Sequence, residues 1–259
     1  MGKNKRKRVS AQQVRDNAKK GGGGASWLNL PDGVEDWAPE AEGTYQIDVV
    51  PYEVTDSKHP DNIDQGSLWY KREFRVHHGV GAESKSVICP RSIGERCPIC
   101  EERDVILKKA KKAKPDKAKE LEEVAKGLKP QIYVAMNILD PDDSDKVRVF
   151  LMSYGKFYGA DAGLKTELAA GDDEIQGFYH ATDGGKTLKC RFGEETFAGH
   201  KFLRCNRIDF KDRDDLDEDE VLGKTVCLDE MLNVMSYKKL KEMFLQSGGG
   251  DDDEDDKPK

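Results

Sequence analysis

The sequence predicts a mainly β fold with helical insertions, closing as a small barrel around one core. Six short segments rich in β-branched and aromatic residues are each bounded by Gly, Pro, Asp or Asn. A single long helix-forming stretch interrupts them, between residues 100 and 130. The chain of 259 residues is long enough to bury a core of its own.

The expected strands are TYQIDVVPYEV (44–54), LWYKREFRVHH (68–78), QIYVAMNIL (131–139), KVRVFLMSY (146–154), KTLKCRF (186–192) and HKFLRCNRIDF (200–210). DPDDSD (140–145) and TDGGKT (182–187) read as hairpin loops, the latter between Tyr179 and Leu188. The helical stretch is broken at Pro115 and ends at Gly127 and Pro130. SYKKLKEMFLQS closes the core as a helix with Leu240, Met243 and Phe244 on one face. Short strands with one helical insertion make an oligonucleotide-binding (OB) type barrel the leading expectation, with a sandwich as the alternative.

Charge divides the chain further. Residues 1–20 hold eight Lys or Arg against one Asp, and GGGGAS separates them from the rest of the chain. Residues 1–25 are therefore expected to be a basic arm and linker, and 26–247 the core. SGGG then leads into DDDEDDKPK, so 248–259 is expected to be a disordered acidic tail. No stretch of about 18 apolar residues exists to span a membrane. MGKNKRKRVS lacks the apolar segment of a secretory signal, which implies the cytoplasm.

Three of the six cysteines fall within twelve positions, in VICPRSIGERCPIC. Cys97 and Cys100 form a Cys-x-x-Cys knuckle whose spacer lets two thiolates face one ion, with seven residues between Cys89 and Cys97. A histidine would complete a tetrahedral Cys3His set, which leaves no open position and so implies a structural Zn2+ ion. Strand alternation places Leu68, Tyr70, Phe74, Val76 and His78 on one face with His77 opposite, and the glycine after His78 permits a tight return. The expected ligands are therefore His78, Cys89, Cys97 and Cys100, within a zinc subdomain of about 76–130. Cys190, Cys205 and Cys227 sit singly in apolar contexts and read as core residues.

Motifs for chemistry are missing. HATDGGKT has His180 where a phosphate loop needs its first glycine, and GVGAES lacks the third glycine of a dinucleotide fingerprint. DPDDSDKVRVFL has neither the glycine nor the final glutamate of a calcium loop. A non-enzymatic protein is expected. What stands out is a mixture of aromatics to stack on unpaired bases and cations to follow phosphates, the needs of single-stranded nucleic acid binding. The candidates are Tyr70, Lys71, Arg72, Phe74 and Arg75; Arg148, Phe150, Tyr154, Lys156, Phe157 and Tyr158; and Arg204, Arg207, Phe210 and Lys211.

Together these features resemble the single-stranded DNA-binding, helix-destabilising proteins of T-even-type bacteriophages. KRKRVS resembles that family's basic self-association motif, and His78-Gly79, Cys89 and CPIC its zinc subdomain inserted in an OB fold. NILDPDDSDKVRVFLMSYGKFY resembles the family's hairpin after the zinc subdomain, and VCLDEMLNVMSYKKLKEMF its closing helix. The acidic end resembles its partner-recruiting tail. The resemblance implies cooperative coating of single-stranded DNA in viral replication, recombination and repair, inside an infected bacterium. Lys5, Arg6, Lys7 and Arg8 would contact neighbouring copies, and the tail would contact replication and recombination proteins. The alternatives are a zinc-stabilised protein-interaction adaptor in transcription or recombination, and a zinc-dependent nucleic-acid enzyme.

Overall fold

The structure is a computed structural model that describes residues 27–140 and 143–246. The basic arm with Lys5, Arg6, Lys7 and Arg8, and the acidic tail, lie outside the described residues.

In chain order the elements are β1 (Asp36–Trp37), β2 (Gly43–Val50), β3 (Tyr52–Glu53), β4 (Leu68–Trp69), β5 (Arg72–Val80) and β6 (Lys85–Ile88). There follow α1 (Pro98–Ala110), α2 (Pro115–Gly127), β7 (Gln131–Asp140), β8 (Asp143–Ser153), α3 (Leu164–Ala170) and α4 (Asp173–Gln176). The chain continues through β9 (Lys186–Phe197), β10 (His200–Asp212), α5 (Glu218–Lys224) and α6 (Tyr237–Leu245). A proline in the first turn opens both α1 and α2, where its missing N–H has no intrahelical partner to lose.

The main sheet runs β1-β8-β7-β2-β9-β10, with β5 joined to both β7 and β6. One edge of β7 pairs with β8, while the other is shared between β5 near Gln131–Ala135 and β2 at Asn137 and Ile138. β2 changes partners along its length, pairing with β9 over Gly43–Asp48 and with β7 at Val49 and Val50. Among the described residues no pair joins the outer strands, so the fold is sheet-rich and mixed, and the expected closed barrel is not formed.

From Val134 onward both faces of β7 are covered, which is why that part is buried continuously instead of alternating. Val134, Met136 and Ile138 pack with Phe150, Phe157, Phe178, Leu188 and Phe192 on one side. Ala135 packs with Phe74, Val76, Val149, Leu228 and Met231 on the other. Asn137 is buried and polar within this strand: its amide donates to the Val226 carbonyl at 2.9 Å and accepts from the Val226 N–H at 3.1 Å. That reciprocal pair ties the C-terminal segment to the centre of the sheet.

Two local expectations fail. Residues 68–78 are not one strand: β4 pairs with β3, and β5 starts afresh on β7. TDGGKT joins no two strands, because α4 and a turn precede β9. The long hairpin of this region is β9–β10, closed by Ala198 and Gly199, both at positive φ (50° and 81°) as a type I′ turn requires.

Candidate metal centre and adjoining groove

The β5–β6 hairpin sets the first two candidate ligands. Val76 pairs with Ile88 and His77 with Val87, and the Cys89 N–H bonds the Arg75 carbonyl at 2.8 Å. Cross-strand partners share a face and alternate residues return to it, so His77, Val87 and Cys89 lie together. The second pair comes from the start of α1: Cys97 caps the helix, Pro98 opens it and Cys100 lies in its first turn. His77, Cys89, Cys97 and Cys100 are all buried, and their ligand atoms lie within 4.8 Å of one another.

The spacings fit one tetrahedral ion. Metal bonds of roughly 2.3 Å to sulfur and 2.0–2.1 Å to nitrogen give tetrahedral edges of about 3.8 Å between sulfurs and 3.5 Å between sulfur and nitrogen. Cys89 Sγ and Cys100 Sγ are 3.6 Å apart, and His77 Nε2 lies 3.4 Å from Cys97 Sγ and 3.5 Å from Cys100 Sγ. Contacts from Cys100 and Cys89 pull the Cys97 thiol far below its ordinary pKa. Contacts from Cys100 and Cys97, together with burial, push Cys89 far above its own. Three buried thiols this close cannot all ionise without a cation among them, and a divalent ion removes that conflict.

The histidine expected from the sequence is therefore corrected from His78 to His77. The alternation itself holds, but Cys89 lies on the His77 face of the strand. His78 points away, 2.8 Å from Ser86 Oγ and 3.3 Å from the Tyr133 hydroxyl. The closing helix expected from the sequence forms as α6, and its apolar face covers this site. α6 lays Leu240 into the cluster formed by Val80, Val87, Ile99 and the three cysteines, and Met243 and Phe244 pack beside it. The Tyr237 hydroxyl donates to Glu101 at 2.7 Å, fastening α6 to α1. The periodicity of α6 shows an apolar face, but no sequence signal says what it covers.

Most of the expected stacking aromatics are core residues, a second correction. Tyr70, Phe74, Phe150, Phe157 and Tyr158 are buried, and their rings are spent on one another and on the sheet. Period-2 patterning cannot tell a core aromatic from a surface one when both faces of a strand are covered. Lys71 and Arg72 are buried too. Lys71 Nζ bonds Asp61 at 2.7 Å and Glu73 at 2.8 Å, while Arg72 faces Asp56 at 2.8 Å and Asp229 at 3.3 Å. Asp229 also accepts from the Tyr52 hydroxyl and from the N–H groups of Thr55 and Asp56. Arg72 thereby holds the 51–67 loop to the C-terminal segment, and Lys71 holds the same loop to the start of β5.

The remaining candidates reach the surface. Arg75, Arg207 and Lys211 are exposed, while Arg148, Tyr154, Lys156, Arg204 and Phe210 are half-buried. Arg148 is engaged by Asp140 and Arg207 by Asp209. Three of them meet in one groove of about 610 Å³, where Tyr154, Lys156 and Arg204 line the floor with Phe202, Ile132, Lys126 and Lys129. Lys156 Nζ sits 4.9 Å from the centre of the Phe202 ring. No carboxylate lines this groove. Phe202, Lys126 and Lys129 are not singled out by the sequence, because only the fold brings the end of α2 beside β10. Cys190 and Cys205 are buried in the sheet core as expected, and Cys227 is half-buried beside Thr55.

No family model matches this chain, and no curated protein or solved structure is significantly similar to it. No helix among the described residues is long and apolar enough to cross a membrane.

Proposed function

We propose that this chain binds single-stranded DNA without sequence preference and coats it cooperatively, as the resemblance to the T-even-type phage proteins implies. The observation that carries the reading is the groove of Lys126, Lys129, Tyr154, Lys156, Phe202 and Arg204. Four cations, of which Arg204 is also held by Asp161 and Glu195, and two aromatics supply phosphate attraction and stacking platforms together. The change of partners along β2 suits the partly open barrel of an OB fold. Zinc is the ion we assign to His77, Cys89, Cys97 and Cys100, since a buried Cys3His set with no open position is a structural zinc site. Its role is to clamp the β5–β6 hairpin to α1, so that α2 holds Lys126 and Lys129 at the groove. The basic arm would join neighbouring copies on the strand and the acidic tail would recruit replication and recombination proteins, in the cytoplasm of an infected bacterium.

The test is zinc content together with oligo-dT affinity, with and without a chelator. Stoichiometric zinc and salt-sensitive oligo-dT binding that weakens on chelation are expected, as is weaker binding after joint Lys129→Ala and Lys156→Ala substitution. Zinc-loaded protein that ignores oligo-dT would leave the adaptor reading in its place.

A further inference from the structure

The groove does not end at Phe202. Along the β9–β10 hairpin Arg204 pairs with Gly193, Phe202 with Glu195 and His200 with Phe197, in unbroken register toward the tip. Partners across an antiparallel pair share a face, and alternate residues return to it. The face that gives Phe202 and Arg204 to the groove therefore continues outward into His200 and Phe197. Two residues of strand carry this face about 7 Å beyond Phe202. That is close to the height of two stacked bases at roughly 3.4 Å each along a strand.

Phe197 is 77% exposed, the most exposed large apolar side chain among the described residues. The turn beyond it holds Ala198 at φ 50°, a conformation that non-glycine residues rarely adopt, next to Gly199 at 81°. Both sides of the hairpin carry paired charges. On the groove side Arg204 holds the carboxylates of Asp161 at 3.2 Å and Glu195 at 3.4 Å. Beyond Phe202, which it also touches, a cavity of about 440 Å³ is lined by Glu40, Glu42 and Glu194, the last held by Lys201 at 2.6 Å.

We propose that the tip of the β9–β10 hairpin extends the single-strand track, with Phe197 stacking on a base beyond the groove and His200 beside it. The proposal rests on the DNA-binding reading of the groove. The experiment uses the full-length protein and fluorescence anisotropy with oligo-dT of two lengths. These are roughly 4 and roughly 16 nucleotides, the ends of the range of single-domain footprints. Phe197→Ala should weaken binding of the long oligonucleotide at least about fivefold and leave the short one as in the unaltered protein. Phe197→Tyr should restore the loss, and Lys156→Ala should weaken both lengths.

If Phe197→Ala binds both lengths as the unaltered protein does while Lys156→Ala weakens both, the tip is not on the track. Equal weakening of both lengths by Phe197→Ala would place the ring inside the groove and also overturn the extension. Failure of the unaltered protein to bind either length would remove the DNA-binding reading itself.

Discussion

His77 Nε2 lies 3.4 Å from Cys97 Sγ, across a sequence separation of 20 residues, and this contact joins the β5–β6 hairpin to the first turn of α1. The neighbouring His78 is on the other side of the strand, bonded to Ser86. Two adjacent histidines thus have different tasks, which substitution can separate.

His77→Ala or Cys97→Ser should lose bound metal and lower the thermal midpoint, while His78→Ala should retain a full equivalent. Structural zinc supplies roughly 10–16 kcal/mol of apparent binding energy in isolated finger peptides at neutral pH, so the loss should be unmistakable. Elemental analysis after dialysis decides it. Metal retained in His77→Ala and lost in His78→Ala would reverse the assignment.

Asp229 has a side chain only 3% exposed and gathers the Tyr52 hydroxyl, two backbone N–H groups and Arg72. Asp229→Ala leaves the Arg72 guanidinium buried opposite Asp56 alone. Removing one partner of a buried pair costs about 3–5 kcal/mol. Urea unfolding monitored by tryptophan fluorescence should show a loss of that order. A midpoint unchanged from the unaltered protein would mean that water reaches the cluster and replaces the carboxylate.

His59 gives the fold a dependence on pH. Burial, and then the Arg72 charge, hold its pKa below the ordinary histidine value, against the opposing pull of Asp229 and Asp61. The unfolded chain therefore takes up a proton at a higher pH than the folded one. Stability is complete above about pH 6.5 and declines as pH falls below that value toward the depressed folded pKa. His59→Gln keeps a hydrogen-bonding side chain and should flatten this part of the curve. Parallel curves for the two proteins between about pH 5 and 7 would assign the slope elsewhere.

The groove cations should be visible in the salt dependence of binding. Each phosphate neutralised on a single strand contributes roughly -0.7 to the slope of log affinity against log salt. Replacing Lys129 and Lys156 together by alanine should make the slope less negative by about 1.4 and weaken binding most at low salt. The same pair of changes should leave the thermal midpoint nearly unaltered, since both side chains reach the surface. A shifted midpoint with an unchanged slope would show that the two lysines support the fold instead.

Much is legible along the chain alone. The spacing of Cys89, Cys97 and Cys100 marks a metal site because a two-residue spacer at a helix start brings two thiols to one point by local geometry. Most strands are legible where apolar and β-branched residues run unbroken, as in β7 and β8. The third dimension decides what local patterns leave degenerate. Strand alternation separates His77 from His78 but does not say which face meets the cysteines; the register of β5 on β6 does. An aromatic on a strand reads the same whether it packs inward or outward, so only the covering of the sheet on both faces makes Phe74 and Phe150 core residues. Cations likewise do not announce their partners. Lys71 and Arg72 meet carboxylates from the 51–67 loop and, for Arg72, Asp229, while Lys126, Lys129 and Phe202, distant in sequence, become neighbours in the groove. Local chemistry is set by spacing along the chain; the partners of a side chain are set by long-range pairing, which only the assembled sheet fixes.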